Sequence, residues 1–159
     1  MNTNVNIEHE KRFLVNTNSW YDPQLSYQYI IQGYLNPDIR IRIVDNNCGF
    51  ITIKKYIDNT SRREYEYQIP LNDCYQLLDD LCYTTIIEKK RYLIKQQNLT
   101  WEINQYCKDN APLVVAELEV DNIDVFNQIQ LPSWINQDVT NDKRYLNYNL
   151  SINPYNSWK

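Results

Sequence analysis

The stretch REYEYQIP at residues 63–70 sets Glu64, Glu66 and Gln68 at every second position, with Tyr65, Tyr67 and Ile69 between them. A period of two belongs to a β-strand, because successive side chains leave opposite faces of the backbone. One face of this strand is charged and the other apolar. The pattern recurs along the chain. Glu8, Glu10 and Arg12 alternate, as do Arg40 and Arg42 within Ile39, Ile41 and Ile43. Thr52 and Lys54 interleave with Ile51 and Ile53, Lys89 and Arg91 precede Tyr92 and Ile94, and Glu102 and Asn104 interleave with Trp101 and Ile103. Glu117, Glu119 and Asp121 alternate with Ala116, Leu118 and Val120.

An ordinary antiparallel sheet also alternates, with its polar face in water. Here the polar faces are nearly all ionic and grouped by sign within a strand, and contain few of the Ser, Thr and Gln residues that solvated faces mix in. The apolar faces need covering by helices or loops. With those faces turned outward, the charged faces point inward and the sheet closes into a barrel with a polar lumen. The expected class is therefore α+β, a closed antiparallel β-barrel with helices packed outside.

The 159 residues suit one domain spanning 1–159. Gly33 and Gly49 are the only glycines, so neither a P-loop nor a GxGxxG loop can be written. Any phosphate must be held by side chains. His9 is the one histidine and alternates away from Glu8 and Glu10, which argues against histidine-based nucleophilic systems. Cys48, Cys74, Cys82 and Cys107 lack CxxC spacing and read as reduced thiols rather than zinc ligands or a disulfide framework. No apolar run reaches membrane-spanning length, and residues 1–10 carry no signal-peptide pattern, which predicts a cytoplasmic protein. No exposed basic stripe suggests a nucleic-acid surface. The chain is compatible with a monomer or a homodimer.

A charged lumen is stable only if its ions are paired, since an isolated buried charge costs several kcal/mol. The acidic pairs Glu8 and Glu10, Glu64 and Glu66, and Glu117 and Glu119 call for cations, and all-oxygen ligands suit Mg²⁺ or Mn²⁺. Arg40, Arg42, Lys54, Lys89 and Arg91 call for a polyanion, and the arginine fork matches phosphate oxygens. The ligand implied is a metal polyphosphate.

Ordered blocks carry a family resemblance: IEHEKRFLV at 7–15, IQGYL at 31–35, IRIR at 39–42, ITIKK at 51–55, REYEYQIP at 63–70, IIEKKRYLI at 86–94, LTWEI at 99–103, LVVAELEV at 113–120, LPSWINQDVT at 131–140 and KRYLNYNL at 143–150. In this order they resemble the CYTH superfamily, the triphosphate tunnel metalloenzymes, whose ExExK opening matches Glu8 and Glu10. The resemblance covers essentially the whole chain. It implies an eight-stranded antiparallel tunnel, Mg²⁺ or Mn²⁺ as cofactor, and a triphosphate-containing small molecule as substrate. By position it makes Glu8, Glu10 and Arg12 catalytic. It assigns Glu8, Glu10, Glu117 and Glu119 to metal as the principal acids, and adds Glu64 and Glu66, on the opposite wall, to the metal set. Arg40, Arg42, Lys54, Lys89, Arg91 and Arg144 become the phosphate grip. In hydrolases of this kind one metal orients the triphosphate and a second helps activate water.

Two positions depart from the family pattern. Arg12 stands where the motif has lysine, and Asn104 stands where a WEID block has aspartate. The implied activity is hydrolysis of inorganic tripolyphosphate or of an organic or nucleoside triphosphate. The alternatives are a class IV-type adenylate cyclase and, because of Arg12, a non-catalytic polyphosphate or nucleotide binder. The rest reads as scaffold: a helix over 73–83 with Asn72 as N-cap, a second over 122–130, a third after Thr140 carrying Arg144 and Tyr145, and Trp20, Trp134 and Trp158 as packing anchors.

Overall fold

The computed structural model describes residues 7–15 and 18–158; residues 1–6, read above for a signal pattern, lie outside them. Nine strands form one antiparallel sheet: β1 (Ile7–Val15), β2 (Tyr27–Asn36), β3 (Ile39–Val44), β4 (Cys48–Tyr56), β5 (Ser61–Ile69), β6 (Ile87–Gln96), β7 (Leu99–Tyr106), β8 (Val114–Val120) and β9 (Ile135–Asp138). The order is β5-β4-β3-β2-β6-β7-β8-β1-β9, and β5 also pairs with β1. That last pairing closes eight strands into a barrel. The ninth strand is an addition to the eight expected.

β1 is where the wall closes. One edge pairs with β8 from His9 to Leu14, while the other pairs with β5 over Ile7–His9 and with β9 over Phe13–Val15. Between those stretches the second edge has no strand partner. Its backbone is satisfied by loops instead: Glu10 N–H donates to the Thr60 carbonyl at 2.8 Å and Arg12 N–H to Thr140 Oγ1 at 3.1 Å.

The helix α1 (Leu71–Leu81) lies over β2, β3 and β4 and buries Cys74 and Leu78 against Ile41 and Ile43. Its approach explains both glycines of the chain. A methyl at Gly33 would sit 2.7 Å from Leu78 Cδ2, and one at Gly49 would sit 2.3 Å from Cys74 Sγ. α1 begins two residues earlier than the spacing predicts and is preceded by Pro70, with no side-chain cap, so Asn72 is not the N-cap. Proline fits there because the first helical N–H groups have no partner to lose.

The helix expected over 122–130 is only a 3-10 segment, Ile123–Asn127. The Asn122 side chain accepts from Asp124 N–H, a local bond that competes with helix, and Ile123, Asp124, Val125 and Phe126 are weak helix formers. Val125, Phe126 and Ile129 still cover the cluster built on Phe13, Trp101, Leu118 and Trp134. After Thr140, Asp142 caps a single 3-10 turn (Lys143–Tyr145), the chain straightens at Leu146, and α2 (Asn147–Ile152) follows. α2 buries Leu150 against Tyr34, Ile87, Tyr106 and Val115, giving one end of the barrel an apolar floor. Trp20, Trp134 and Trp158 pack edge-on or tilted against other aromatic rings, as anchors do. The outer cover is incomplete: on β4 and β5, Ile53, Tyr65 and Tyr67 remain 41%, 47% and 57% exposed.

Candidate active site

The inward faces enclose a cavity of about 220 Å³. Its lining includes seven glutamates (Glu8, Glu10, Glu64, Glu66, Glu102, Glu117 and Glu119) and six bases (Arg12, Arg40, Arg42, Lys54, Arg62 and Arg91), so the lumen is close to charge balance. Tyr34, Tyr56 and, from the α2 end, Leu146, Asn147 and Tyr148 complete it.

Register sorts these charges. Glu8 faces Arg62 across β1 and β5, Lys54 faces Glu64 across β4 and β5, and Arg12 faces Glu117 across β1 and β8. Two directly opposed pairs are of like charge, Glu10 with Glu119 and Glu102 with Glu117. Like charges opposite one another destabilise a sheet unless a cation intervenes. The strands β1, β8 and β7 thus carry an acidic wall. Arg40 and Arg42 on β3, with Arg91 on β6, make a basic one.

Arg62 is tied to the acidic wall. Its Nε donates to Glu64 at 2.9 Å, Nη1 to Glu10 at 2.9 Å and Nη2 to Glu119 at 2.9 Å, with Glu8 3.3 Å from Nη2. Burial pushes the Glu10 carboxyl upward, but Arg62, Arg12 and Lys54 outweigh it and hold the group at about 2. Glu64 is likewise held low against its burial, by Lys54, Arg40 and Arg62. Glu119 behaves oppositely: burial, with Glu8 and Glu10 nearby, outweighs Arg62 and raises it to about 7. Glu8 is also raised, by burial and then by Glu64.

On the basic wall, Arg40 donates to Thr52 at 2.9 Å and to Glu66 at 3.0 Å, and Arg91 pairs with Glu102 at 2.9 Å. Arg42 has no ion pair among the described residues, and its Nε is buried without a partner. Burial, then Arg40 and Arg91, lower it to about 9, so it stays protonated at neutral pH. Lys54 is lowered to about 8 by burial, Arg40 and Arg62.

Of the residues picked from sequence, Glu8, Glu10, Arg12, Arg40, Arg42, Lys54, Glu64, Glu66, Arg91, Glu117 and Glu119 all line the cavity. Lys89 is not among the lining residues; it is fully buried, with Nζ 5.5 Å from the Tyr106 ring centroid and without a hydrogen-bond partner among the described residues, and burial pulls it well below the usual lysine range. Arg144 is not brought to the lumen. It sits on the surface, where Asp142 accepts from its Nε and Nη2, and it stacks 5.1 Å from Trp158. The single turn after Asp142 orients it outward. Two charged lumen residues escaped the sequence assignment, Arg62 and Glu102. Both carried the signal, since Arg62 stands two positions before Glu64 and Glu102 lies in the alternating run of β7. Lys11, in contrast, lies on the outer face beside Asp138 at 3.6 Å, and His9 bonds Ser61 there. All four cysteines are free.

The acidic wall offers oxygen donors alone, the chemistry a hard divalent cation requires. Three of its carboxylates, Glu8, Glu10 and Glu119, already converge on one cationic group, Arg62, together with Glu64 of β5. Among the described residues no three acids are gathered tightly enough to hold an ion as they stand. The donor set matches the ligand chemistry of a hard divalent ion.

An eight-stranded barrel whose lumen opposes a carboxylate wall to a guanidinium wall defines a charged-tunnel protein. Residues 6–147 match the CYTH domain, and the chain belongs to that family. It is 38% identical to an inorganic triphosphatase of Acetivibrio thermocellus over 96% of this chain and 97% of that protein. An inorganic triphosphatase of Nitrosomonas europaea is 30% identical over 91% and 97%. The crystal structure of an inorganic triphosphatase superposes with a TM-score of 0.67 at 29% identity, covering 91% of this chain and 94% of that one.

Proposed function

We propose that the chain is a metal-dependent hydrolase of inorganic tripolyphosphate. The observation that carries this reading is the division of the lumen into an acidic wall, with two like-charged pairs in register, and a basic wall holding an unpaired arginine. Its size favours the inorganic anion. A cavity of about 220 Å³ lies below the roughly 300–1,000 Å³ of sites for drug-sized ligands, which suits a small inorganic anion better than a nucleoside triphosphate held wholly inside. Two relatives matching nearly the full chain bear the inorganic triphosphatase name, which supports the same substrate.

In this reading Arg40, Arg42 and Arg91 grip the phosphates, with Lys54 at the junction of the walls. Lys89 supports the grip from behind rather than by contact. Glu8, Glu10, Glu117 and Glu119 would hold Mg²⁺ or Mn²⁺, which supplies charge neutralisation and Lewis acidity toward phosphoryl oxygens. Glu64 anchors Arg40, Lys54 and Arg62, and Glu66, at the more exposed rim, anchors Arg40. Arg12 spans Glu10 and the Thr140 carbonyl and so fixes one carboxylate of the wall. The apolar floor at α2 keeps one end dry, which strengthens each charge contact within. A phosphate-release panel with tripolyphosphate, ATP, GTP and thiamine triphosphate under each metal tests the proposal. Tripolyphosphate should dominate and a chelator should abolish turnover. Cyclic nucleotide plus pyrophosphate from ATP, or binding with no turnover under either metal, would overturn it.

A further inference from the structure

Arg62 spends its whole fork on acids. One guanidinium meets four carboxylates from three strands: Glu64 of its own β5, Glu8 and Glu10 of β1, and Glu119 of β8. Arg12, Lys54 and Arg40 share two of these carboxylates with it, and the other two depend on Arg62 for their ion pairing among the described residues. The four partners are not held equally. Glu10 also bonds Arg12, and Glu64 also bonds Lys54 and Arg40, and each side chain is 11% exposed. Glu8 and Glu119 meet no cation but Arg62 among the described residues, and they are 24% and 44% exposed. These two have fewer cationic partners and more exposure than Glu10 and Glu64.

We propose that Arg62 is an internal counter-ion that competes with the divalent cation for Glu8 and Glu119 and, once displaced, turns its Nη groups toward the triphosphate. Arg62 is thus a positioning residue that couples the two ligands. A cation that takes Glu8 and Glu119 frees guanidinium N–H groups for phosphate. An anion that draws Arg62 away exposes carboxylate oxygens to the cation. Coupling of this kind is reciprocal, each ligand tightening the other by the same factor. The inference rests on the reading of the lumen as a metal and triphosphate site.

The test is calorimetric titration of the metal-free full chain with Mn²⁺, alone and with an imido-bridged tripolyphosphate analogue that resists hydrolysis. In the wild type the analogue should tighten Mn²⁺ about tenfold, within the usual span of coupled sites. In Arg62→Gln, Mn²⁺ alone should bind roughly tenfold more tightly than in the wild type, and the analogue should add little. A merely structural role predicts the opposite direction, because a damaged acidic wall binds cation less well. Arg62→Lys serves if the Gln variant does not fold: it keeps the charge, reaches fewer carboxylates, and should bind Mn²⁺ more tightly than the wild type by a smaller factor. Unchanged or weaker Mn²⁺ binding in the folded variant, or coupling retained in full, overturns the proposal. A wild type that binds Mn²⁺ and hydrolyses tripolyphosphate while its Arg62 variants bind Mn²⁺ no better removes this inference alone. A wild type that does neither removes the proposed function with it.

Discussion

Replacing Glu10 by Gln removes the carboxylate that Arg12 and Arg62 share. Arg12 then loses its only ion pair among the described residues, with its Nε already buried and unpartnered. Breaking a buried pair by deleting one partner costs about 3–5 kcal/mol. Linkage arrives at a similar size: a carboxyl held at about 2 against an ordinary 4.5 contributes about 3 kcal/mol at neutral pH. In a domain of this length that lowers Tm by roughly 6–12 °C. Because the folded group is shifted downward, its contribution is full above the unfolded value near 4.5 and is lost as pH falls through about 2. The gap between wild type and Glu10→Gln, measured by urea denaturation in chelator, should therefore shrink to less than about half between pH 7 and pH 3. A variant as stable as the wild type at pH 7, or a gap that does not change with pH, would refute the ion-pair account.

Arg42→Ala should lower kcat/KM for tripolyphosphate about a hundredfold or more without loss of stability, since that arginine is only partly buried and makes no ion pair among the described residues; phosphate release and denaturation check the two halves. Arg144→Ala should leave kcat/KM within about twofold of wild type and stability within roughly 0.5 kcal/mol, because the side chain is on the surface. Gly49→Ala should destabilise by about 1–3 kcal/mol through collision with Cys74, and a second change, Cys74→Ala, should recover part of that loss in denaturation experiments.

The barrel was legible because its strands alternate strictly, and alternation is a backbone property that survives without knowledge of partners. The lining of the lumen followed with it. What alternation could not supply was register, which depends on pairing across long separations: nothing local says that Glu10 opposes Glu119 or that Arg62 meets four acids. Arg62 was passed over although its spacing marked it as inward. Lys89 had the right parity, but depth along the barrel axis is not encoded by parity, and its side chain is fully buried over the Tyr106 ring rather than in the cavity lining. Arg144 and the segment after Asn122 were misread for a shared reason. Asp142 and Asn122 each bond a backbone N–H two residues on, and such local bonds end helices early and redirect side chains.

If the two walls sort two ligands as proposed, a crystal structure with Mn²⁺ and the imido-bridged tripolyphosphate analogue should show both in their places. Anomalous scattering should place the metal among Glu8, Glu10, Glu117 and Glu119, with the phosphates against Arg40, Arg42 and Arg91. Metal bound away from those glutamates, or an anion seated outside the lumen, would contradict it.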